Sequence, residues 1–306
     1  MSHSPMLADL VLSRSATDRY AEMRKDPERV HQALNHPSTR FLCVHNSQAP
    51  IVGTGLRFFE LGEIPENSAT YFLGYEGTTA YFGVSVDADF VSGHEPDPWV
   101  NLRASGSLLC DRDAGLLVAA VALDNWNFTH TRCPRCGSET VQSEAGWTRR
   151  CPVDNSVHFP RTDPAVIVLV TDPSDRVLLA RQSRWQQGWV SVLAGFVEAG
   201  ESAEAAVLRE VHEETGIALD PESLDYLGSQ PWPFPNSLML GYHAQSLNTE
   251  IQVDGIEIVE ACWYDRAEVR ALCESQELHL PPRVSIAYQL IARWYGEKLP
   301  SNTSFR

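Results

Sequence analysis

Residues 195–217, GFVEAGESAEAAVLREVHEETGI, read as a glycine loop that runs into a helix. Ser202 suits the N-cap of that helix and Gly216 suits its stop. Arg209, Glu210, Glu213 and Glu214 fall at helical spacing, and residues three and four apart project from one face. Carboxylates gathered so closely repel one another when left bare. Magnesium and manganese take oxygen ligands, and such ions relieve the repulsion while gripping a phosphate. The competing reading makes REVHEE the solvated face of an ordinary amphipathic helix, with Val207, Leu208 and Val211 turned inward and Gly216 merely a C-cap.

Outward from this helix the pattern predicts a sheet. AVIVLVTD, from Ala165, reads as a buried strand, RVLLARQ as its hairpin partner, and WVSVLAGFVE as the strand that delivers the glycine loop. HFPRTDPA carries two prolines that discourage helix and suit an extended linker into that sheet. RVSIAYQLIARWYGEK reads as an amphipathic helix, with Ala287, Leu290, Ile291 and Trp294 at helical intervals, closing the layered structure. Between them lies QPWPFPNS, residues 230–237, in which three prolines lock the backbone around two aromatic rings. As packing alone this is a rigid crossover with Trp232 and Phe234 plugging the core; its place after the acidic helix and before a strand suits substrate sorting.

A chain of 306 residues is long enough for two or three domains. Its net charge of -16 argues against a broad nucleic-acid footprint, so an anionic substrate must be recruited by metals and local basic or stacking groups. The early apolar run at 6–12 is interrupted by Asp9 and too short for a signal peptide, and no segment approaches bilayer-spanning length; the expectation is a cytoplasmic protein without a membrane partner. Residues 1–130 read as an α+β unit: FLCVHN, PIVGTGLRFFEL and TYFLGYEGTTAYFGVSV as strands, then a helical tract with Leu116, Ala119, Ala120 and Leu123 before Trp126. Seven cysteines make no secreted framework, and Cys43, Cys110, Cys262 and Cys273 stand alone as small apolar residues. CPRC, Cys133 and Cys136 followed by Gly137, is a zinc-knuckle pattern. Its partner knuckle is imperfect: Cys151 is followed by Asp154 where a fourth cysteine would stand, with His158 as the other nearby donor. A carboxylate is a poorer zinc ligand than a thiolate, so this knuckle either holds zinc less firmly or keeps only its turns and packing.

The spacing of Gly195, Glu201, Arg209, Glu210, Val211, Glu213, Glu214, Gly216 and Ile217 fills every place of the Nudix box, and a nine-place match is far more specific than a lone glycine loop. Residues 229–237, SQPWPFPNS, match the SQPWPFPxS element of the NADH pyrophosphatase branch of the Nudix hydrolases, which the chain resembles. The resemblance implies an α/β fold of the α+β kind: a Nudix α-β-α sandwich with a mixed sheet at 161–300, preceded by a zinc-ribbon-like segment at 131–160 and the N-terminal domain at 1–130. Members cut the pyrophosphate of NADH or NAD+ to nicotinamide mononucleotide and AMP, some remove the NAD cap from RNA 5′ ends, and they are commonly homodimers.

Carried over by position, the resemblance places magnesium or manganese on the Ala194 carbonyl, Glu210 and Glu214, with Glu213 as further ligand or base. Glu257 in EIVEACWY takes the role of the later acidic ligand, Glu260 being the alternative. Arg209 pins the neighbouring carboxylates and Glu201 orients the loop–helix junction. Phe196 stacks on nicotinamide; Phe159 and Ala287 touch the substrate, as do Gln230, Pro231, Trp232, Pro233, Phe234, Pro235, Asn236 and Ser237. Cys133, Cys136, Cys151 and Asp154 form the zinc candidate. The rival expectations are ADP-ribose or dinucleoside polyphosphates as substrate, and a non-catalytic Nudix regulator that senses a nucleotide.

Overall fold

The apolar run in AVIVLVTD is buried on both faces of a sheet, which explains why it shows no polar alternation. In the computed structural model, which describes residues 6–94 and 97–300, Val166, Val168 and Val170 pack with Ala206, Val207 and Val211 on one side. Ile167 and Leu169 pack with Val269, Leu290 and Ile291 on the other. Alternate residues of a strand face opposite ways, so one strand feeds two cores and the result is a three-layered α-β-α sandwich. Each fully buried valine, leucine or isoleucine in those layers contributes about 1.5–3 kcal/mol of transfer free energy.

Two compact units are present: residues 6–11, 163–230 and 237–300 form one, and residues 12–162 with 231–236 form the other. In the first, the sheet order is Asp225–Trp232, Ser237–Gln245, Asp163–Thr171, Val177–Gln182, Ile258–Tyr264, with Leu193–Phe196 also beside Asp163–Thr171. The sheet is mixed: Val166 is opposite Leu240 in a parallel pair and opposite Gly195 in an antiparallel one. RVLLARQ follows the first strand, but the two pair only at Thr171 and Val177. Its long partner is Ile258–Tyr264, because Leu193–Phe196 occupies the place beside residues 165–168. Regular strand in WVSVLAGFVE is confined to Leu193–Phe196, with Ser191 bridging Ala180. Pro164 lies inside its strand rather than in a linker, and its carbonyl accepts from Val197 N at 3.1 Å. Leu10 joins the core of this unit, and Leu7 N donates to Leu227 O at 2.8 Å.

The second unit holds a three-stranded sheet in which Thr79–Ser85 runs parallel to Arg40–Val44 and antiparallel to Thr70–Glu76. A smaller sheet joins Gly55–Leu56, Gln48–Val52 and Trp99–Asn101. Phe41, Phe59, Phe72 and Phe82 form its aromatic core. The expected helical tract runs Asp111–Thr129, so Trp126 lies within it rather than after it. A side chain at Gly83 would crowd the Ala120 methyl and the Tyr71 ring, so strand and helix approach closely there. The ribbon segment is a three-stranded antiparallel sheet of Val141–Ser143, Thr148–Arg150 and Val157–His158. Among the described residues, no helix is long and apolar enough to cross a membrane.

Candidate active site

The loop after Leu193–Phe196 enters the helix Ala203–Thr215, whose Ser202 Oγ accepts from Ala205 N at 3.1 Å and whose end is closed by Gly216 at φ 69°. Arg209 binds this junction together. Its Nε and Nη2 each donate to one oxygen of Glu201 at 2.8 Å, and Nη2 also reaches Phe196 O at 3.0 Å. Nη1 lies 2.9 Å from Glu210 Oε1 and 3.2 Å from Glu213 Oε2. Glu201 Oε2 in turn accepts from Glu198 N at 3.0 Å, so one carboxylate joins loop to helix and is held at about 2, first by Arg209 and then by that backbone N–H.

One face of the helix gathers the remaining acids. The Glu210 carboxyl lies against Gly195, in the space any side chain there would take, beside the peptide that follows Ala194. Burial pushes Glu210 above its ordinary value, and Arg209 pulls against that. Glu214 is 5% exposed and is pushed up to about 8, first by burial and then by Glu257, Glu210, Asp254 and Glu213. Its Oε2 is buried and accepts no hydrogen bond. An orphaned carboxylate oxygen surrounded by like charge fits an oxygen-seeking divalent cation, which removes both penalties at once. Glu213 differs from its neighbours: its side chain is 60% exposed and turned to Arg209.

Glu257 and Glu260 separate clearly. Glu257 acts on both Glu210 and Glu214, whereas Glu260 Oε2 accepts from Arg181 Nε at 3.0 Å across the strand pair. Sequence reasoning missed Asp254. Its carboxylate accepts from the backbone N–H groups of Ile256, Glu257 and Ile258, which hold it below its ordinary value and shape the turn that presents Glu257. Asp-Gly at 254–255 was the available signal, since an aspartate that binds backbone two residues on is a turn former.

Other expected contacts are distributed more widely. Phe196 is 58% and Phe159 68% exposed, so both rings are open for stacking. Gln230 is wholly buried and its Nε2 donates to Val284 O at 3.0 Å, and Ala287 is buried in the helix Ile286–Tyr295. Neither presents an open side chain. Ser237 begins the strand Ser237–Gln245. In the second unit, the Trp232 and Phe234 rings meet edge to face at 4.8 Å, Pro233 is buried, Pro231 and Asn236 are half-buried, and Pro235 is exposed.

The two knuckles of the ribbon share a backbone. Gly137 N donates to Cys133 O and Asn155 N to Cys151 O, with left-handed φ of 75° and 58° at these equivalent positions. Asp154 therefore stands where Cys136 stands in its own knuckle, and ligand atoms of Cys133, Cys136, Cys151 and Asp154 all lie within 4.8 Å of one another. Ser156 N and Oγ both donate to Asp154 Oδ1, aiming the carboxylate and holding it well below the usual range. Three thiols and an oriented carboxylate in such a cluster fit one tetrahedral zinc ion.

Comparison with known proteins follows the same three segments. The NUDIX domain family matches residues 161–286, the NADH pyrophosphatase zinc ribbon domain 129–159, and the NADH pyrophosphatase-like rudimentary NUDIX domain 12–126. The NAD-capped RNA hydrolase NudC of Mycobacterium tuberculosis (strain ATCC 25618 / H37Rv) is 37% identical over 298 residues, covering 93% of this chain and 94% of that protein. The NAD-capped RNA hydrolase NUDT12 of Macaca fascicularis is 32% identical over 337 residues, covering 92% of this chain and 72% of that protein. With the carboxylate face behind Gly195, the ribbon and the SQPWPFPNS segment all in place, this chain belongs to the NADH pyrophosphatase branch of the Nudix hydrolases.

Proposed function

We propose that this chain hydrolyses the pyrophosphate bridge of NADH and NAD+, releasing nicotinamide mononucleotide and AMP, and removes the same dinucleotide cap from RNA 5′ ends. The observation that carries the reading is the buried, unpartnered Glu214 Oε2 in a cluster with Glu210 and Glu257. Glu210, Glu214, Glu257 and the Ala194 carbonyl are the proposed ligands of magnesium or manganese, with Glu213 beside them. Bound there, such ions offset the charge of the diphosphate and make water a competent nucleophile at neutral pH. A carboxylate among Glu213, Glu214 and Glu257 takes the proton from the attacking water, while Arg209 and Glu201 hold the loop and helix in register. Phe196, Phe159 and residues of the 229–237 segment are the proposed substrate contacts, each within its own unit, with Gln230 and Ala287 proposed as supports. Three domains at 1–130, 131–160 and 161–300, a homodimer and a cytoplasmic location complete the proposal. The net charge of -16 favours contact with a short unpaired 5′ end over a long RNA footprint.

Product identification tests this directly. Purified protein with magnesium or manganese should convert NADH to nicotinamide mononucleotide and AMP, and NAD-capped RNA to a 5′-monophosphate RNA. Faster cleavage of ADP-ribose than of NADH would overturn the substrate assignment.

A further inference from the structure

In the segment 231–236, PWPFPN, three prolines carry no N–H; Pro231 and Trp232 end the strand Asp225–Trp232, and Phe234 N closes a tight turn onto Trp232 O at 2.7 Å. Side chains of the unit the segment belongs to also hold it. Asn125, on the helix Asp111–Thr129, points its Nδ2 at Pro233 O at 3.3 Å and Pro235 O at 3.5 Å. Ser47 Oγ donates to Asn125 Oδ1 at 2.9 Å, which fixes the amide with its donor side toward the loop. The Arg103 guanidinium lies 4.3 Å from the Phe234 centroid and 5.1 Å from that of Trp232. A cation touching two ring faces at once fixes the angle between them, and that angle decides whether a planar heteroaromatic can stack.

We propose that Arg103 and Asn125 are positioning residues that clamp the 231–236 loop and thereby set selectivity for a dinucleotide with a second aromatic base over one that ends in a bare ribose. This rests on the function proposed above; Arg103, Asn125 and the 231–236 loop all belong to the second unit.

Steady-state kinetics of the full chain with NADH and with ADP-ribose, under one metal and pH, test the selectivity. Arg103→Ala should raise KM for NADH about fivefold, the size of one cation–π contact, with kcat within about twofold, and should lower the NADH to ADP-ribose ratio of kcat/KM. Arg103→Lys keeps the charge and should recover part of that loss; Asn125→Ala should act in the same direction as Arg103→Ala. Hydrogen–deuterium exchange across residues 231–237 gives a second, substrate-free readout, in which both alanine variants exchange faster than wild type. Wild-type exchange in both variants overturns the clamp. Equal losses with both substrates overturn the selectivity, leaving a structural role alone. A wild-type chain that does not split NADH rejects the proposed function and the selectivity with it, whatever the exchange shows.

Discussion

The carboxyl group of Glu210 occupies the space that a side chain at residue 195 would fill. Gly195 is thus required by packing against the acidic helix rather than by its backbone angles. Even one methyl must push the carboxylate aside, and a displacement of about 1 Å in a catalytic group costs on the order of 100-fold in rate. Gly195→Ala should lower kcat/KM for NADH by about 100-fold or more while the thermal midpoint moves by only a few degrees. Turnover close to wild type would show that Glu210 does its work from another position.

Glu214 makes the metal-free protein sensitive to pH. Its folded-state value of about 8 stands above the ordinary 4.5, chiefly through burial, so between those values the folded chain holds a proton that the unfolded chain has released. Stability in chelator should therefore fall as pH rises through that window and level off above about pH 8. Glu214→Gln carries no charge to bury; it should flatten this slope, exceed wild type at pH 8 by on the order of a few kcal/mol, and lose about 1000-fold in NADH turnover. Denaturant unfolding at pH 5 and pH 8 checks the first part. Parallel pH slopes for the two proteins would remove Glu214 from the cluster.

The acidic helix was legible because its chemistry is local: Arg209, Glu210 and Glu214 are separated by fixed helical steps, and the structure joins Arg209 to Glu201 in the preceding loop and buries Glu214. What was not legible depends on partners distant in sequence. Nothing near Gln230 reveals that Val284 O, 54 residues on, takes its amide, or that residues 177–182 pair mainly with 258–264. The N-terminal unit was readable only as α+β, because the strands and aromatic core remain while no acidic box marks them. Fold survives on apolar pattern alone; a site is visible only where charged residues keep their spacing.

Two glutamates on one segment should behave oppositely. Glu257 bears on Glu210 and Glu214 and is presented by the Asp254 turn, whereas Glu260 is about half exposed and paired with Arg181. An exposed ion pair is worth about 0–1 kcal/mol, so Glu260→Gln should leave kcat/KM within about threefold and cost little stability. Glu257→Gln should reduce kcat by about 100-fold and weaken the manganese dependence of the rate. Metal titrations of activity for both variants read the difference. A larger effect at Glu260 would exchange their roles.

The ribbon offers a test independent of hydrolysis. Asp154 stands at the fourth ligand position, aimed by Ser156, while His158 Nε2 is engaged with Ser156 Oγ at 3.0 Å. A carboxylate binds zinc less firmly than a thiolate, so three cysteines and Asp154 should hold it by a smaller margin than four cysteines. Asp154→Cys should raise the chelator concentration needed to strip zinc by about tenfold or more, and Asp154→Ala should lower zinc content and the thermal midpoint together, because structural zinc binding is also folding free energy. His158→Ala should leave zinc content unchanged. Metal analysis of the purified proteins decides among them: zinc lost from His158→Ala but kept by Asp154→Ala would move the fourth ligand to the histidine, since a substituted ligand cannot retain the ion through an atom it no longer has.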